Sequence, residues 1–125
     1  MKKTVSTTSA PAAVGPYSQA VWAGDFLYCS GQLGLNPATG VLAGSDAASQ
    51  AEQSLLNVRA ILESQGLNMS NVVKSLVFLT DISDFKTVNE IYSKFFTESP
   101  PARSCVAVKS LPLGGAVEIE VIAHR

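Results

Sequence analysis

The layered architecture is indicated most clearly by Val72-Val73-Lys74-Ser75-Leu76-Val77-Phe78-Leu79-Thr80. This segment predicts one β-strand whose apolar runs are broken only by Lys74-Ser75. A strand with one face in water alternates apolar and polar residues, whereas a nearly continuous apolar run is typical of a strand buried on both faces. The rest of the protein must therefore cover both faces of the sheet that contains residues 72–80.

Two amphipathic helices flank this strand along the chain. The first is predicted from Ser45-Asp46, where an acid in the first turn suits the helix dipole, to Gly66, a natural C-terminal cap. The second is predicted from about Ser83 and ends before Pro100, since proline disfavours helical conformation in the residue that precedes it. Apolar residues recur at helical spacing in both helices: Ala51, Leu55, Val58 and Leu62 in the first, Phe85, Val88, Tyr92 and Phe95 in the second.

Further segments predict the remaining strands: residues 4–8, 19–23, 26–30, 102–108 and 116–123. Gly24-Asp25 predicts a tight hairpin turn between the second and third of these segments. The chain therefore predicts a single α+β domain over residues 1–125, with an about six-stranded mixed sheet and two helices on one face. Because two helices cover only one face of such a sheet, we expect the other face to pack against another subunit of a homo-oligomer.

Composition excludes several classes of function. Only 15% of residues are charged, against about 25% in typical globular domains. The net charge is −1, and Lys2-Lys3 is the one basic cluster, so nucleic acid and acidic membranes are not expected as partners. No apolar run approaches the roughly 20 residues of a membrane span, and no signal peptide is recognisable, so we expect a cytoplasmic protein.

Cysteine and histidine usage argues against a metal centre. Cys29 and Cys105 lie in predicted strands and, in a cytosolic chain, are expected to be free and mostly buried thiols. The chain contains one histidine, His124, beside the C-terminus. A histidine-based metal site or catalytic triad is therefore not expected.

Arg103 is a candidate ligand-binding residue because Pro100 and Pro101 hold the backbone just before a predicted strand. Its planar, permanently charged guanidinium suits bidentate binding of a carboxylate or phosphate. Alternation along the strand predicts that Arg103 and Cys105 point away from the core. The predicted core-facing set is Ser104, Val106 and Val108.

Alternation in the last strand predicts a pair of carboxylates on the face that the helices leave uncovered. Val117, Ile119, Val121 and Ala123 share the predicted helix-facing side, and Glu118, Glu120 and Ile122 share the other side. We therefore expect Arg103, Cys105, Glu118 and Glu120 to converge at the oligomer interface. Two interpretations stay open: an Arg–Glu bridge that fixes subunit register, or a polar pocket with an anion-binding Arg and a proton-transferring Glu.

The ordered set of motifs across the whole chain resembles the Rid proteins, also called YjgF-type or reactive intermediate deaminases. The motifs are Gly15-Pro16-Tyr17-Ser18-Gln19-Ala20, Ser30-Gly31-Gln32, Asn57-Val58, Val77-Phe78-Leu79-Thr80-Asp81, Phe85-Lys86-Thr87-Val88-Asn89, Pro101-Ala102-Arg103-Ser104-Cys105-Val106 and Val117-Glu118-Ile119-Glu120. The resemblance implies a chorismate-mutase-like α+β fold and a homotrimer with three clefts between subunits.

The resemblance also implies an activity: hydrolysis of short-lived enamines and imines, such as 2-aminoacrylate and 2-aminocrotonate, to 2-keto acids and ammonia. Pyridoxal-phosphate-dependent serine and threonine dehydratases release these intermediates, and the hydrolase itself is expected to need no cofactor.

Residue roles follow from the same resemblance. Arg103 corresponds to the arginine that holds the substrate carboxylate, and Glu118 to the acid that positions or activates water. Glu120 corresponds to a glutamate that we interpret as structural. The positions that match the lining of the cleft are Tyr17, Ser30, Gly31, Asn89 and the main chain at Cys105.

Overall fold

A computed structural model of the protein describes residues 2–125. Within them, strands β1 to β7 span Lys3–Val5, Ala20–Ala23, Phe26–Cys29, Gln32–Leu33, Val72–Leu79, Ala102–Ala107 and Val117–His124, and helices α1 and α2 span Ala47–Ser64 and Phe85–Ser93. The predicted α+β architecture is confirmed. The short strand β4 was not predicted, and a single 3₁₀ turn, Ile82–Asp84, leads into α2.

The strands form one mixed sheet in the order β1-β2-β3-β7-β5-β6, with β4 also paired to β7. The pairing of β5 with β6 is parallel and the other pairings are antiparallel. A parallel pair needs a crossover connection, and α2 lies in that crossover between β5 and β6. The strand predicted at residues 72–80 is therefore an interior strand, and its crossover brings α2 to the β6 end of the sheet.

The core lies between the two helices and one face of the sheet. The predicted alternation in β7 is confirmed, since Val117, Ile119, Val121 and Ala123 are all buried. The predicted apolar positions of α1 are buried as well, and Asp46 caps this helix by accepting a hydrogen bond from Ser49 N. In α2, Val88 and Tyr92 are buried as predicted, whereas the predicted Phe85 is exposed and Phe95 is only half-buried. Beyond the end of the helix, Phe96 is buried.

The opposite face of the sheet carries many apolar side chains. Leu76 and Phe78 are half-buried there, and Tyr28 and Val106 on neighbouring strands are exposed. Neither α-helix within residues 2–125 packs on this side, which we call the open face. No helix in the described chain is both long and apolar enough to cross a membrane.

Candidate active site

Arg103 and Cys105 lie on the helix-facing side of the sheet, so the side predicted for them was wrong. They pair with Ser75 and Val77 of β5, whose side chains are buried beneath the helices. The physical reason is that β6 is an edge strand, where the helix-facing side is only half covered and tolerates charge. Alternation separates the two faces of a strand, but at an edge it does not indicate which face is the core.

Glu118 and Glu120 lie on the open face, as predicted, beside Phe78 and Leu76 of β5. In one chain they therefore do not converge with Arg103, which is on the other side of the sheet. An intrachain bridge between Arg103 and either glutamate is also not formed. Among residues 2–125 the one ion pair joins Arg125 Nε to Asp25 Oδ1 at 3.2 Å. Arg103 thus has no carboxylate partner within the described chain.

Helix α2 holds the Arg103 side chain in place. Arg103 Nη1 donates to Asn89 Oδ1 at 2.6 Å. The guanidinium carbon lies 4.8 Å from the ring centroid of Tyr92 and 5.6 Å from that of Phe85, within cation–π range. The Tyr92 hydroxyl is itself fixed by a buried 2.6 Å hydrogen bond with Ser75 Oγ. We call Arg103, Asn89 and Cys105, with these two rings, the arginine half-site.

Cys105 is half-buried beside Arg103 and forms no disulfide. Burial raises the pKa of the Cys105 thiol, and the Arg103 charge opposes this only partly. Burial raises the pKa of Cys29 to about 12. Both thiols are therefore protonated near neutral pH. Among residues 2–125 no group of His, Cys, Asp and Glu side chains is arranged to hold a metal ion.

A cavity of about 530 Å³ brings together Tyr17, Ser30, Gly31 and Glu118, which we call the carboxylate half-site. Tyr17 is half-exposed at the cavity wall. Ser30 Oγ donates to the Ser18 carbonyl oxygen at 2.6 Å, which ties the residue after β3 to the loop before β2. The apolar part of the lining is formed by Pro11, Ala12, Val14, Leu33, Leu35, Pro112 and Leu113.

A bulge precedes β4 at the point where Gly31 contacts Glu118 of β7. Tyr28 pairs with Ile122, and Gln32 pairs with Ile119. The three intervening residues of this segment therefore face two residues of β7, which is the arrangement of a β-bulge. The sequence reasoning missed this irregularity, although a glycine within a strand pattern is its usual signal.

The surroundings of Glu118 favour its protonated form. Burial raises the pKa of the Glu118 carboxyl, and repulsion from Glu120 raises it further. A carboxyl whose pKa is shifted towards neutrality can both accept and donate a proton at physiological pH. The sequence alone left the direction of this shift open, because it could not place Arg103 relative to the two glutamates.

Position 31 favours glycine because the Glu118 side chain packs closely against it. A Cβ atom on Gly31 would lie 2.9 Å from Glu118 Cδ. We expect Gly31→Ala to displace the carboxyl and to lower the free energy of unfolding by only about 1 kcal/mol, since the carboxyl can rotate away. Gly34→Ala is the matched comparison, because its Cβ would meet the fixed backbone of Gln50, 2.6 Å from the Cα atom; there we expect a loss of about 3 kcal/mol.

Urea unfolding of the two variants measures both values. Equal losses would contradict the assignment of the Gly31 contact to a mobile side chain.

The burial of several polar residues around the carboxylate half-site was not predicted from the sequence. Gln19 is 3% exposed and binds the N-terminal loop: its Oε1 accepts from Thr7 N at 2.6 Å, and its Nε2 donates to Pro11 O at 2.8 Å. Gln50, Ser54 and Asn57 form a buried polar row on α1. The sequence signal for the three residues of α1 was the presence of amide and hydroxyl side chains at positions on the apolar face of that helix.

Known proteins resemble the chain over nearly its whole length. Residues 7–125 match the family described as Endoribonuclease L-PSP. The 2-iminobutanoate/2-iminopropanoate deaminase of Escherichia coli (strain K12) is 51% identical over 128 residues, covering 100% of this chain and 99% of the relative.

Solved structures agree with the sequence match. The crystal structure of the YjgF gene product from E. coli is 49% identical with a TM-score of 0.94, covering 98% of each chain. The structure of E. coli TdcF with bound serine is 44% identical with a TM-score of 0.94, again covering 98% of each chain. The protein therefore belongs to the Rid family, also called the YjgF or L-PSP family.

Proposed function

We propose that this protein hydrolyses 2-imino acids, including 2-iminobutanoate and 2-iminopropanoate, to 2-keto acids and ammonia, and that residues 1–125 act as one Rid-type domain. The observation that carries the proposal is Arg103, which α2 holds rigidly although it has no carboxylate partner within residues 2–125. A fixed, unpaired guanidinium suits the carboxylate of a small acid. The name and full-length similarity of the E. coli deaminase support the same substrate class.

We propose that each complete site forms between two chains of a chorismate-mutase-like homotrimer. The arginine half-site and the carboxylate half-site lie on opposite sides of one sheet, so a second copy must bring the missing half. An interface that joins unlike surfaces of identical chains can close into a ring. A trimer of this kind would contain three clefts and would cover the apolar open face.

The mechanism uses groups from both half-sites. The enamine tautomerises to the 2-imino acid, and Arg103 clamps its carboxylate through two parallel hydrogen bonds. Glu118 orients a water molecule and accepts its proton as the oxygen bonds to the imine carbon. Glu118 then passes that proton to the nitrogen, which gives a carbinolamine. Glu118 next accepts the proton of the carbinolamine hydroxyl and donates it to the nitrogen, so that the carbonyl forms, the C–N bond breaks, and ammonia leaves the 2-keto acid.

Several features of the site follow from this substrate. Imines already hydrolyse in water, so the barrier reduction required of the protein is modest and needs no activated nucleophile. We propose that Tyr17, Ser30, Gly31, Asn89 and the main chain at Cys105 line the cleft. The reaction requires no cofactor, and the imines come from pyridoxal-phosphate-dependent dehydratases.

A coupled assay tests the proposal directly. A threonine dehydratase generates the imine, and adding this protein should accelerate release of 2-ketobutyrate. Heat-denatured protein controls for nonspecific effects of added protein. An unchanged rate with folded protein would refute the enzymatic proposal.

Turnover should not depend on the Cys105 thiol. We expect Cys105→Ser to keep the coupled rate within about twofold of wild type, since burial raises the pKa of this thiol and leaves little thiolate. The same assay measures it. A loss of more than about a hundredfold in a folded Cys105→Ser protein would indicate thiolate catalysis instead.

A second candidate is a non-catalytic module that binds small carboxylates, as a regulator or a chaperone-like protein. The relative TdcF has been solved with bound serine, which favours a cleft for small amino or keto acids. Titration calorimetry with 2-oxobutanoate, followed by product analysis with the imine, separates the two functions. Binding without faster product release would favour the module. RNA as main ligand is not favoured, because the chain has 9 Lys+Arg against 10 Asp+Glu.

A further inference from the structure

The buried face of α1 carries polar side chains that an apolar core does not require. Gln50, Ser54 and Asn57 lie on this face, and each is at most 2% exposed. Burying a polar group lowers stability unless its hydrogen bonds are made. None of these three side chains lines the cavity of the carboxylate half-site within the described chain. Any effect that they have on that cavity must therefore act through the groups to which they are hydrogen-bonded.

Ser54 and Asn57 hold one wall of that cavity. Ser54 Oγ donates to the Gln32 carbonyl oxygen at 2.6 Å. Asn57 Nδ2 donates to the carbonyl oxygens of Leu33 and Leu35 at 3.1 and 2.9 Å. Strand β4, Gln32–Leu33, has only two residues, and so short a strand forms few ladder hydrogen bonds. The three bonds from α1 therefore fix a wall that the sheet alone would hold weakly.

Gln50 holds the strand that carries Glu118. Its Oε1 accepts from Ala116 N at 2.7 Å, immediately before β7, and its Nε2 donates to Gly44 O at 2.9 Å. The helix thus bonds to both segments that meet at the Gly31–Glu118 contact. Gly34 reinforces this arrangement, because it packs against the Gln50 backbone with no space for a side chain.

We propose that Gln50, Ser54 and Asn57 are positioning residues for the deamination reaction. They set the distance between the Glu118 carboxyl and the cavity wall formed by residues 31–35, which we call the β4 wall. This inference rests on the proposed function, in which Glu118 handles the water and the proton. A displacement of about 1 Å in a reacting group can lower a rate by about a hundredfold, so a fixed wall matters to catalysis and not only to folding.

The groups that face Glu118 determine how its titration midpoint would change if the β4 wall were held less firmly. Glu120 lies on the same strand, Tyr17 lines the same cavity, and the paired residues Leu33 and Phe78 are uncharged. In the proposed trimer, Arg103 of a neighbouring copy also faces Glu118, and it is present equally in every variant compared below. The proton affinity of Glu118 within one chain therefore reflects burial and Glu120. A wall that moves away admits water, and the titration midpoint of Glu118 should fall towards the ordinary value.

The test compares two serine-to-alanine substitutions on the same helix. Ser54→Ala removes the 2.6 Å bond to the β4 wall. Ser64→Ala removes a 2.7 Å bond from a serine hydroxyl to Ile61 O within α1 itself. The probes are the pH dependence of kcat in the coupled assay and the ¹³C titration of the Glu118 carboxyl by NMR.

We expect Ser54→Ala to lower kcat by about tenfold and to move the Glu118 midpoint down by at least about half a pH unit. The KM should change less than about twofold, because the substrate carboxylate is bound by Arg103, which is not part of the β4 wall. Ser64→Ala should change neither readout. If Ser54→Ala does not fold, Asn57→Ser, which cannot reach both leucine carbonyls, is measured instead.

The inference is overturned if Ser54→Ala, or Asn57→Ser in its place, has the same kcat or the same Glu118 titration midpoint as Ser64→Ala. The NMR comparison needs no turnover. If wild-type protein is inactive, the proposed function fails on its own, and an unshifted midpoint would still show that α1 does not position Glu118.

Discussion

Replacing Arg103 with alanine should abolish the acceleration, so that 2-ketobutyrate is released at the spontaneous rate. Two hydrogen bonds between charged groups contribute about 1.5–3 kcal/mol each, so their loss corresponds to a fall of about a hundredfold or more in kcat/KM. The fold should survive, because Arg103 is half-buried at an edge strand and forms no ion pair within residues 2–125. The coupled dehydratase assay measures the rate, and circular dichroism checks folding.

Arg59→Ala is the matched control for that experiment. Arg59 also lies over an aromatic ring, with its guanidinium carbon 5.6 Å from the Phe95 centroid, but it is exposed on α1 away from both half-sites. We expect Arg59→Ala to keep the wild-type rate. Arg103→Lys retains the charge without the planar fork and should recover little activity. Full activity in Arg103→Ala would remove the carboxylate clamp from the mechanism.

Glu118→Gln should lose about a hundredfold or more of the rate, because general acid–base catalysis contributes about 10²–10⁴-fold. Glu120→Gln is the matched control, two residues away on the same face of β7. It should retain most of the activity, since Glu120 is proposed as structural. Equal losses in the two variants would contradict the assignment of proton transfer to Glu118 and of a structural role to Glu120.

Glu118→Gln should also melt at a higher temperature than wild type near neutral pH. Within one chain, burial and Glu120 hold the pKa of Glu118 above its value in the unfolded chain, so its ionised form opposes folding. This cost is fully present above the folded pKa and disappears below the ordinary pKa of glutamate, where both states are protonated. Thermal melts across that range should therefore show a gain that shrinks as the pH falls, and a pH-independent gain would contradict the raised pKa.

Mixing the two inactive variants tests whether each site spans two chains. In co-expressed Arg103→Ala and Glu118→Gln chains, about one quarter of the clefts would combine an intact Arg103 with an intact Glu118 from the neighbour. Activity should therefore recover to about one quarter of wild type. No recovery from a mixed oligomer would indicate that both groups act from one chain.

Local patterns predicted most of the elements because their signals are local. The spacing of Leu55 and Val58 in α1, the Gly24-Asp25 turn and the alternation in β7 each depend on residues a few positions apart. Strand β4 escaped prediction because two residues carry no periodicity. Its position depends on hydrogen bonds from Ser54 and Asn57, more than 20 residues away in sequence.

The α+β class, the chemical identity of the candidate groups and the open-face position of Glu118 in an interior strand could all be predicted from local sequence patterns. The side of the sheet on which Arg103 lies depends on tertiary packing. Strand β6 is at the edge of the sheet, where the helix-facing side is half covered, so alternation does not indicate which face is the core. The crossover that brings Asn89 and Tyr92 over β6, and the burial that raises the pKa of Glu118, are likewise products of packing. Packing joins residues that are distant in sequence, and no local pattern specifies that.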